Sequence, residues 1–301
     1  MTYAHIFVYN NQDGCHRVAV LTLARAVRSV KARRRVIFFS FGNQRITMKD
    51  KQPRTDKQHK LKLRNPFKAL TKFEWALWIF SLTAVTVSFF AAKNTDYSTL
   101  AVSLIGVSAL IFAAKGDAFG LMLMLCFSAV YAFVSYCFGY YGEMIIYLCM
   151  QMPVCTASLI SWLKNPSKNG AGEVKVGKLT PKYIAIIAVS AVAVTTAFYF
   201  ILRAFNTENL IVSTISVGTS FVALFLMVLR VPAYAAAFTI NDIVLIALWS
   251  FACTRSLNYI PMVVCFAVFL INDIYGFISW TKRKKRQTAE ETASSHFDQA
   301  N

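Results

Sequence analysis

Eight stretches of mainly apolar residues alternate with short polar segments along residues 73–280. Each stretch is close to the roughly 17 to 25 residues with which a helix crosses a bilayer. Continuous apolar runs favour helices over barrel strands, because barrel strands alternate in polarity and are only about ten residues long. The pattern therefore predicts an all-α polytopic membrane protein with eight transmembrane helices, at 73–92, 98–114, 118–138, 142–163, 181–202, 209–229, 233–253 and 258–280.

The second and fourth spans resemble the sixth and eighth. The second and sixth each end in a basic turn that leads at once into another span, and the segment 159–164 aligns with 277–282. Trp162 and Trp280, which these two segments share, are expected to belong to an aromatic belt at the membrane interface. The repetition predicts two parallel three-helix repeats, which favour a transporter because they hold a substrate between them. The repeats would cover 98–163 and 209–280, with a linker helix at 181–202 between them and one peripheral N-terminal helix at 73–92.

The net charge of +18 is typical of a nucleic-acid-binding protein, but the basic residues lie mainly at the ends of the spans. If the amino terminus is cytoplasmic, the loops on the other side of the membrane hold only Lys93, Arg203 and Arg255 as basic residues. This bias follows the positive-inside rule. We therefore expect membrane lipid and no nucleic acid as a partner, both termini in the cytoplasm, a transporter domain at 73–285 and a cytoplasmic tail at 286–301. Within the basic cluster at 282–286, Arg283 is expected to be replaceable.

Residues 1–72 are rich in lysine and arginine and contain no apolar run of spanning length. We expect them to form a disordered, basic cytoplasmic leader. The arginine-rich part of this leader is also compatible with an organelle transit peptide or an anchor on the lipid surface. A third interpretation is that Met48 is the natural start of the chain.

Few strongly polar side chains interrupt the spans, where such groups are costly and often functional. The pairs 241–242 and 272–273 each lie eight residues from the cytoplasmic end of their span, at roughly the same depth, and Gln151 lies near the middle of the fourth span. Aromatic side chains follow both pairs by one or two helical turns. We therefore predict a chamber that suits a flat, polar, uncharged heterocycle, lined by Gln151, Asn241, Asp242, Trp249, Asn272, Asp273 and Tyr275.

Two other interpretations of these polar residues stay open. They could bond one another across helices and only hold the bundle together. The two Asn-Asp pairs could also bind a coupling ion or relay protons.

The sequence contains no HExxH, CxxC, GxGxxG or P-loop pattern, and its four histidines lie outside the spans. We therefore expect no metal, no cofactor and no enzymatic activity. An enzyme embedded in the membrane is a third class of function, but no paired catalytic groups at one interface favour it.

Six short segments together resemble the PnuC family of bacterial vitamin transporters; they lie at 73–75, 114–116, 141–143, 162–165, 172–176 and 272–277. The resemblance covers about residues 70–285. It implies a fold similar to the SWEET transporters, a homotrimer in the bacterial inner (plasma) membrane, and import of nicotinamide riboside by facilitated diffusion. Phosphorylation in the cytoplasm would then trap this form of vitamin B3 for NAD biosynthesis. Asn241, Asn272, Asp273 and Trp249 stand where the family has pocket residues.

One departure from the family pattern lies in the fourth span. The family often carries an amide at a proline-linked motif where this chain has Cys155, and a thiol cannot replace the paired donor and acceptor of an amide. Either Gln151, one helical turn earlier, compensates, or the substrate differs. The alternative function is therefore a carrier of a related vitamin, thiamine or riboflavin, which could be coupled to an ion.

Overall fold

The computed structural model describes residues 66–92, 97–137, 141–167, 173–207, 209–254 and 257–300. In this part of the chain eight long helices form, together with two short 3-10 helices at Pro66–Ala69 and Leu257–Tyr259, one isolated β-bridge and no strand. The fourth helix, α4, runs from Tyr141–Ile145 through a π-helical turn at Ile146–Gln151 into Met152–Lys164. The other seven are α1 (Lys72–Ala91), α2 (Tyr97–Ala114), α3 (Ala118–Cys137), α5 (Pro181–Ala204), α6 (Leu210–Val228), α7 (Ala233–Cys253) and α8 (Ile260–Ala300).

These helices confirm the all-helical prediction, and the chain is a multi-pass membrane protein. Among the described residues, seven helices are long and apolar enough to cross a membrane, while the apolar part of α3, Ala118–Phe133, is shorter. The observed ends lie within two residues of the predicted span ends, except that α8 continues past Trp280 to Ala300. Most of the basic leader lies outside the described residues.

The main contacts divide the helices into two groups of three, one of α2, α3 and α4 and the other of α6, α7 and α8. We call these the first and second groups. The groups meet in a reciprocal way, because α4 packs against α6 and α8 packs against α2. Helix α1 packs against α2 and α8, and α5 packs against α6. The surface between the groups therefore has two equivalent helix crossings.

Each group caps the helix ends of the other at the end of the bundle that carries Lys115, Lys164 and Arg230, which we call the basic end. A Ser-Trp pair near the end of α4 and another in α8 donate hydrogen bonds to final carbonyls of the opposite group. The bonds are Ser161 Oγ to Val228 O (2.8 Å), Trp162 Nε1 to Met227 O (3.0 Å), Ser279 Oγ to Ala114 O (3.0 Å) and Trp280 Nε1 to Ala113 O (3.0 Å). Carbonyls of a last helical turn lack the amide partner of a regular helix. Met227 O and Ala113 O also accept from the turn amides of Arg230 and Gly116, so the indoles add a second bond there.

Both indoles are buried in the protein interior, with 2% of Trp162 and none of Trp280 exposed. The prediction that they belong to an interfacial belt is therefore wrong. A belt requires rings that face lipid, whereas these rings lie between the two groups with their centroids 5.1 Å apart. Their N–H groups explain the placement, since a buried indole needs an acceptor and finds one at a helix end.

The segment 173–177 joins the two groups at the basic end. The amide of Val174 donates to the carbonyl of Gly116 (3.2 Å), and the amide of Gly177 donates to the carbonyl of Arg230 (3.0 Å). Gly116 and Arg230 lie just after α2 and α6 and both have positive φ, at 69° and 58°. The loop therefore bridges the turns that end the first helix of each group.

The extension of α8 holds this segment in place. Gln287 accepts from the amide of Val176 (2.8 Å) and donates to the carbonyl of Val174 (3.1 Å). Arg283 pairs with Glu173 at 3.3 Å and is only 5% exposed. The sequence predicts that Arg283 is one of several exchangeable residues in an exposed basic cluster. In the structure its guanidinium is instead buried against the helix ends.

Helix α1 is attached through one buried carboxylate. Glu74 forms a capping box with Thr71, which stabilises the start of the helix. The same carboxylate accepts from Lys115 Nζ (3.0 and 3.2 Å) and from the hydroxyl of Tyr275 (2.8 Å). Glu74 therefore links α1 to the end of α2 and to α8.

Candidate functional site

A central cavity lies between the two helix groups, and six helices (α2, α3, α4, α6, α7 and α8) contribute to its wall. The space in it that the centre of a water molecule can occupy is about 100 Å³. Its aromatic lining comes from Phe127, Tyr147, Phe238, Phe266 and Phe269. Its other polar lining comes from Gln151, Ser213, Ser216, Ser220, Asn241, Asp242 and Asp273. A concave site with an apolar wall and a few convergent polar groups is typical of small-molecule binding.

The π-helical turn of α4 forms one side of this cavity. Proline lacks an N–H and its ring clashes with the carbonyl four residues earlier, so the backbone before Pro153 departs from a regular α-helix. The amide of Met152 accordingly donates to the carbonyl of Tyr147, five residues earlier. Tyr147 and Gln151, at the two ends of this turn, both line the cavity. Single π turns of this kind occur often at functional sites.

Cys155 does not line the cavity. It is fully buried in the apolar core, one turn beyond the π-helical segment. Gln151 does line the cavity and is the amide that α4 contributes. In this chain the amide of the fourth helix therefore lies one turn earlier than the family pattern implies.

Serine side chains of α6 form a second polar wall. Ser213, Ser216 and Ser220 follow one another at intervals of three and four residues, which places them on one face of the helix. The amide oxygen of Asn241 accepts hydrogen bonds from Ser220 (2.9 Å) and Thr219 (2.8 Å), with a longer one from Ser216 (3.4 Å). These bonds fix the orientation of the Asn241 amide group, because residues of α6 hold its oxygen while Asn241 lines the cavity.

Two carboxyl groups meet in the cavity wall. Asp242 on α7 and Asp273 on α8 interact with each other electrostatically, and only 3% and 6% of them are exposed. Asp242 Oδ2 is buried without a hydrogen-bond partner among the described residues. The described lining residues include no lysine or arginine. The cavity is therefore an acidic site whose two carboxyl groups hydrogen-bond each other and have no basic partner among the described lining residues.

Four of the seven predicted site residues thus meet at this cavity: Gln151, Asn241, Asp242 and Asp273. Asn272 does not. Its amide nitrogen donates to Ser81 Oγ on α1 (2.9 Å) and to the carbonyl of Val268 (2.8 Å). Asn272 therefore faces α1, on a different side of α8 from Asp273.

Tyr275 and Trp249 also lie outside this cavity. The hydroxyl of Tyr275 donates to Glu74, in the contact that attaches α1. The ring of Trp249 packs against Tyr259, with centroids 5.6 Å apart, near the end of the bundle opposite the basic end. For both residues, the position in the sequence indicates how deep the side chain lies in the membrane but not whether it faces the cavity.

Sequence reasoning missed several of the lining residues. The spacing of Ser213, Ser216 and Ser220 was a readable signal, because it marks a polar stripe on an otherwise apolar helix. Tyr147 gave no such signal, since its direction depends on the π turn. Its ring centroid lies 4.3 Å from that of Tyr131 and 5.8 Å from that of Phe127, so an aromatic cluster forms this side of the site.

An aromatic layer separates the cavity from the basic end. The rings of Trp162, Tyr234 and Trp280 are all buried, and the centroid of Trp280 lies 5.1 Å from each of the other two. The hydroxyl of Tyr234 donates to the carbonyl of Ala113 (3.2 Å). Phe238, one turn after Tyr234, already lines the cavity. The layer therefore forms the floor of the site.

Residues 96–282 match the family model described as nicotinamide mononucleotide transporter. This range contains every residue that lines the cavity. The chain belongs to the PnuC family. A relative in Neisseria mucosa, named nicotinamide riboside transporter PnuC, is 26% identical over 231 residues, covering 75% of this chain and 88% of the relative. A protein of the same name in Haemophilus influenzae is 25% identical over 206 residues, covering 67% and 88%.

The crystal structure of the vitamin B3 transporter PnuC is similar to this chain in fold as well. The two match with a TM-score of 0.62 and 27% identity, over 73% of this chain and 97% of the other. The family predicted from the six short segments is thereby confirmed. The helices that form the cavity are part of the shared PnuC fold, whereas the basic leader lies outside the family match.

Proposed function

We propose that the chain imports nicotinamide riboside across the bacterial inner membrane by facilitated diffusion. The observation that carries this proposal is the cavity between the two helix groups, where an amide on α4, an amide on α7 and two carboxyl groups converge beside aromatic rings. Amides can bond the carboxamide of the substrate, carboxylates can accept from ribose hydroxyls, and rings can stack on the pyridine. The names of the two relatives support the same substrate.

The charge of the cavity favours the riboside over the mononucleotide. A phosphate group carries negative charge and would approach Asp242 and Asp273, and the described lining offers no lysine or arginine to receive it. Like charges at close range in a poorly hydrated site are strongly unfavourable. The riboside lacks the phosphate and avoids this repulsion.

Transport would follow from the way the two groups meet. In our proposal they are two parallel three-helix repeats, with α5 as linker and α1 as the peripheral helix, in a SWEET-like arrangement. Rocking of one repeat against the other would open the site to each side in turn. The reciprocal contacts of α4 with α6 and of α8 with α2 support this arrangement. Gln151, Asn241, Asp242 and Asp273 are the proposed substrate-binding residues.

The remaining parts of the proposal come from the family resemblance and the charge bias. Both termini are cytoplasmic, the protein is a homotrimer, and phosphorylation after entry traps the substrate for NAD biosynthesis. Facilitated diffusion needs no ATP and no ion gradient. A separate kinase would therefore supply the driving force by consuming the imported riboside.

The carboxyl pair also favours a second candidate, a vitamin carrier coupled to an ion. Buried carboxyl groups at membrane depth are the usual equipment of ion-coupled transporters. Such a carrier would accumulate thiamine or riboflavin only under an imposed gradient. Replacement of Asp273 by asparagine would abolish that dependence.

Uptake into proteoliposomes tests the proposal. Purified full-length protein would be reconstituted and given labelled nicotinamide riboside without ATP or an imposed gradient, with excess nicotinamide mononucleotide, thiamine or riboflavin as competitors. We expect saturable uptake that stops at the external concentration and ignores all three competitors. Uptake that requires a proton or sodium gradient, or that thiamine or riboflavin displaces, would favour the second candidate.

A further inference from the structure

We propose that the Asp242–Asp273 pair makes this site selective for a cationic ring, of the N-substituted pyridinium class, over a neutral ring of the same shape. This inference rests on the proposed function, because it assigns charge selectivity to the cavity that binds the substrate. Amide and aromatic positions in the sequence suggest an uncharged heterocycle. The geometry of the carboxyl pair points to a charged one.

The pair has no cationic partner among the described residues. Both side chains are more than nine-tenths buried and line the cavity, and Asp242 Oδ2 has no hydrogen-bond partner among the described residues. The other titratable groups that interact with the pair are the thiol of Cys265, near Asp242, and the phenol of Tyr234, near Asp273. Neither group can carry a positive charge. The two carboxyl groups also hydrogen-bond each other, so they share a proton and hold at most one negative charge, for which no described lining residue supplies a cation.

A buried carboxylate without a cationic partner is costly, and a cation that enters the cavity lowers this cost. The ring nitrogen of nicotinamide riboside is bonded to the ribose, so its pyridine ring carries a positive charge. The aromatic side chains of the cavity, including Phe127 and Tyr147, also attract a cation through their ring faces. The carboxamide and the ribose are common to charged and neutral forms of the substrate. The carboxyl pair is therefore the element that distinguishes the two.

The reduced, 1,4-dihydropyridine form of nicotinamide riboside is a matched probe for this selectivity. It keeps the carboxamide and the ribose but has no charge on its ring. Calorimetric titration of purified full-length protein with each form would give the ratio of the two dissociation constants. We expect the wild-type protein to bind the oxidised, cationic form at least about tenfold more tightly, a difference of about 1.4 kcal/mol, because only this form places a positive charge beside the carboxyl pair.

Asparagine substitutions assign the effect to the pair. The double variant Asp242→Asn/Asp273→Asn keeps the size of both side chains and removes the charge of the pair, whereas a single asparagine can replace the protonated member and leave the charge on the other. The double variant is expected to weaken binding of the cationic form by about ten- to a hundredfold and to change binding of the reduced form by less than about threefold. Glu290→Gln removes one carboxylate from the exposed part of α8 and is the control for total charge. It should leave both dissociation constants unchanged.

The outcomes separate this inference from the proposed function. Equal binding of the two forms by the wild-type protein would overturn the inference while leaving the riboside as a ligand. So would a double asparagine variant that weakens binding of both forms by the same factor. If the wild-type protein binds neither form, the proposed function itself fails and the inference fails with it. Because the wild-type comparison alone decides the selectivity, a variant that does not fold leaves the inference testable.

Discussion

The attachment of α1 through Glu74 leads to a prediction about the stability of the bundle. Glu74→Gln removes the charge but keeps a side chain that can still complete the capping box with Thr71, because glutamine serves at this position as well as glutamate. Lys115→Met is the reciprocal change. It removes the ammonium group and leaves the carboxylate behind. The two substitutions therefore disrupt the same contact from opposite sides.

The structure predicts unequal costs for the two changes. The side chain of Glu74 is 2% exposed and that of Lys115 is 18% exposed. Lys115→Met leaves a buried carboxylate without its cation. Breaking a buried ion pair in this way costs about 3 to 5 kcal/mol of unfolding free energy. Glu74→Gln leaves an ammonium group without its anion, but this group still reaches water. We therefore expect a loss of only about 2 kcal/mol of unfolding free energy, near the range for a single charged hydrogen bond. The double variant should recover about 1 to 3 kcal/mol relative to the sum, as contacting residues do.

Equilibrium unfolding in mixed micelles titrated with SDS would measure these free energies for the wild type, the two single variants and the double variant. Two results would refute the reasoning. In the first, Lys115→Met costs no more than Glu74→Gln. In the second, the two costs add within about 0.5 kcal/mol, which is the behaviour of independent sites.

Three further predictions concern helix contacts and the basic end. Gly120→Ala should lower the melting temperature, because a Cβ there would lie 2.4 Å from the amide nitrogen of Ala113. Gly276→Ala, whose nearest atoms would lie at 3.6 Å, should be neutral or stabilise the protein by up to about 1 kcal/mol. Equal melting temperatures of the two variants would contradict this prediction. Gln287→Leu removes both bonds to the segment 173–177 and should increase amide hydrogen exchange there without changing exchange at the cavity. Arg283→Ala should destabilise the protein by about 2 kcal/mol or more in chemical unfolding, because it removes the donor to the carbonyl of Lys115 and one of the two guanidinium partners of Glu173. A change below about 0.5 kcal/mol would show that the guanidinium is dispensable.

The ends of the helices were largely predictable because lysine, arginine, glycine and proline interrupt the apolar runs. The exception is the carboxyl end of α8. The apolar pattern stops at Trp280, but residues 281–300 are rich in lysine, arginine, glutamine, alanine and glutamate, which all favour helix. Hydrophobicity therefore marks where a span ends, while helix propensity decides where the helix ends. The clamp formed by Gln287 depends on this difference.

The candidate site was only partly predictable, because depth in the membrane does not determine direction around a helix. Asn272 and Asp273 lie at nearly the same depth but point about 100° apart, as neighbours on a helix do. Asp273 lines the cavity and Asn272 contacts Ser81 on α1. Which of the two faces the cavity depends on how α1 and α7 pack around α8. That packing is a long-range property which a single sequence does not reveal.

The central claim is that the cavity between the two helix groups is the nicotinamide riboside site. Titration of the purified protein with nicotinamide riboside, comparing the wild type with Gln151→Leu, tests it most directly, with Trp249→Phe as the control outside the cavity. We expect Gln151→Leu to raise the dissociation constant by about three- to tenfold, through the loss of a hydrogen bond, and Trp249→Phe to leave it unchanged. An unchanged dissociation constant for Gln151→Leu together with weaker binding by Trp249→Phe would contradict the claim and move the site toward the opposite end of α7.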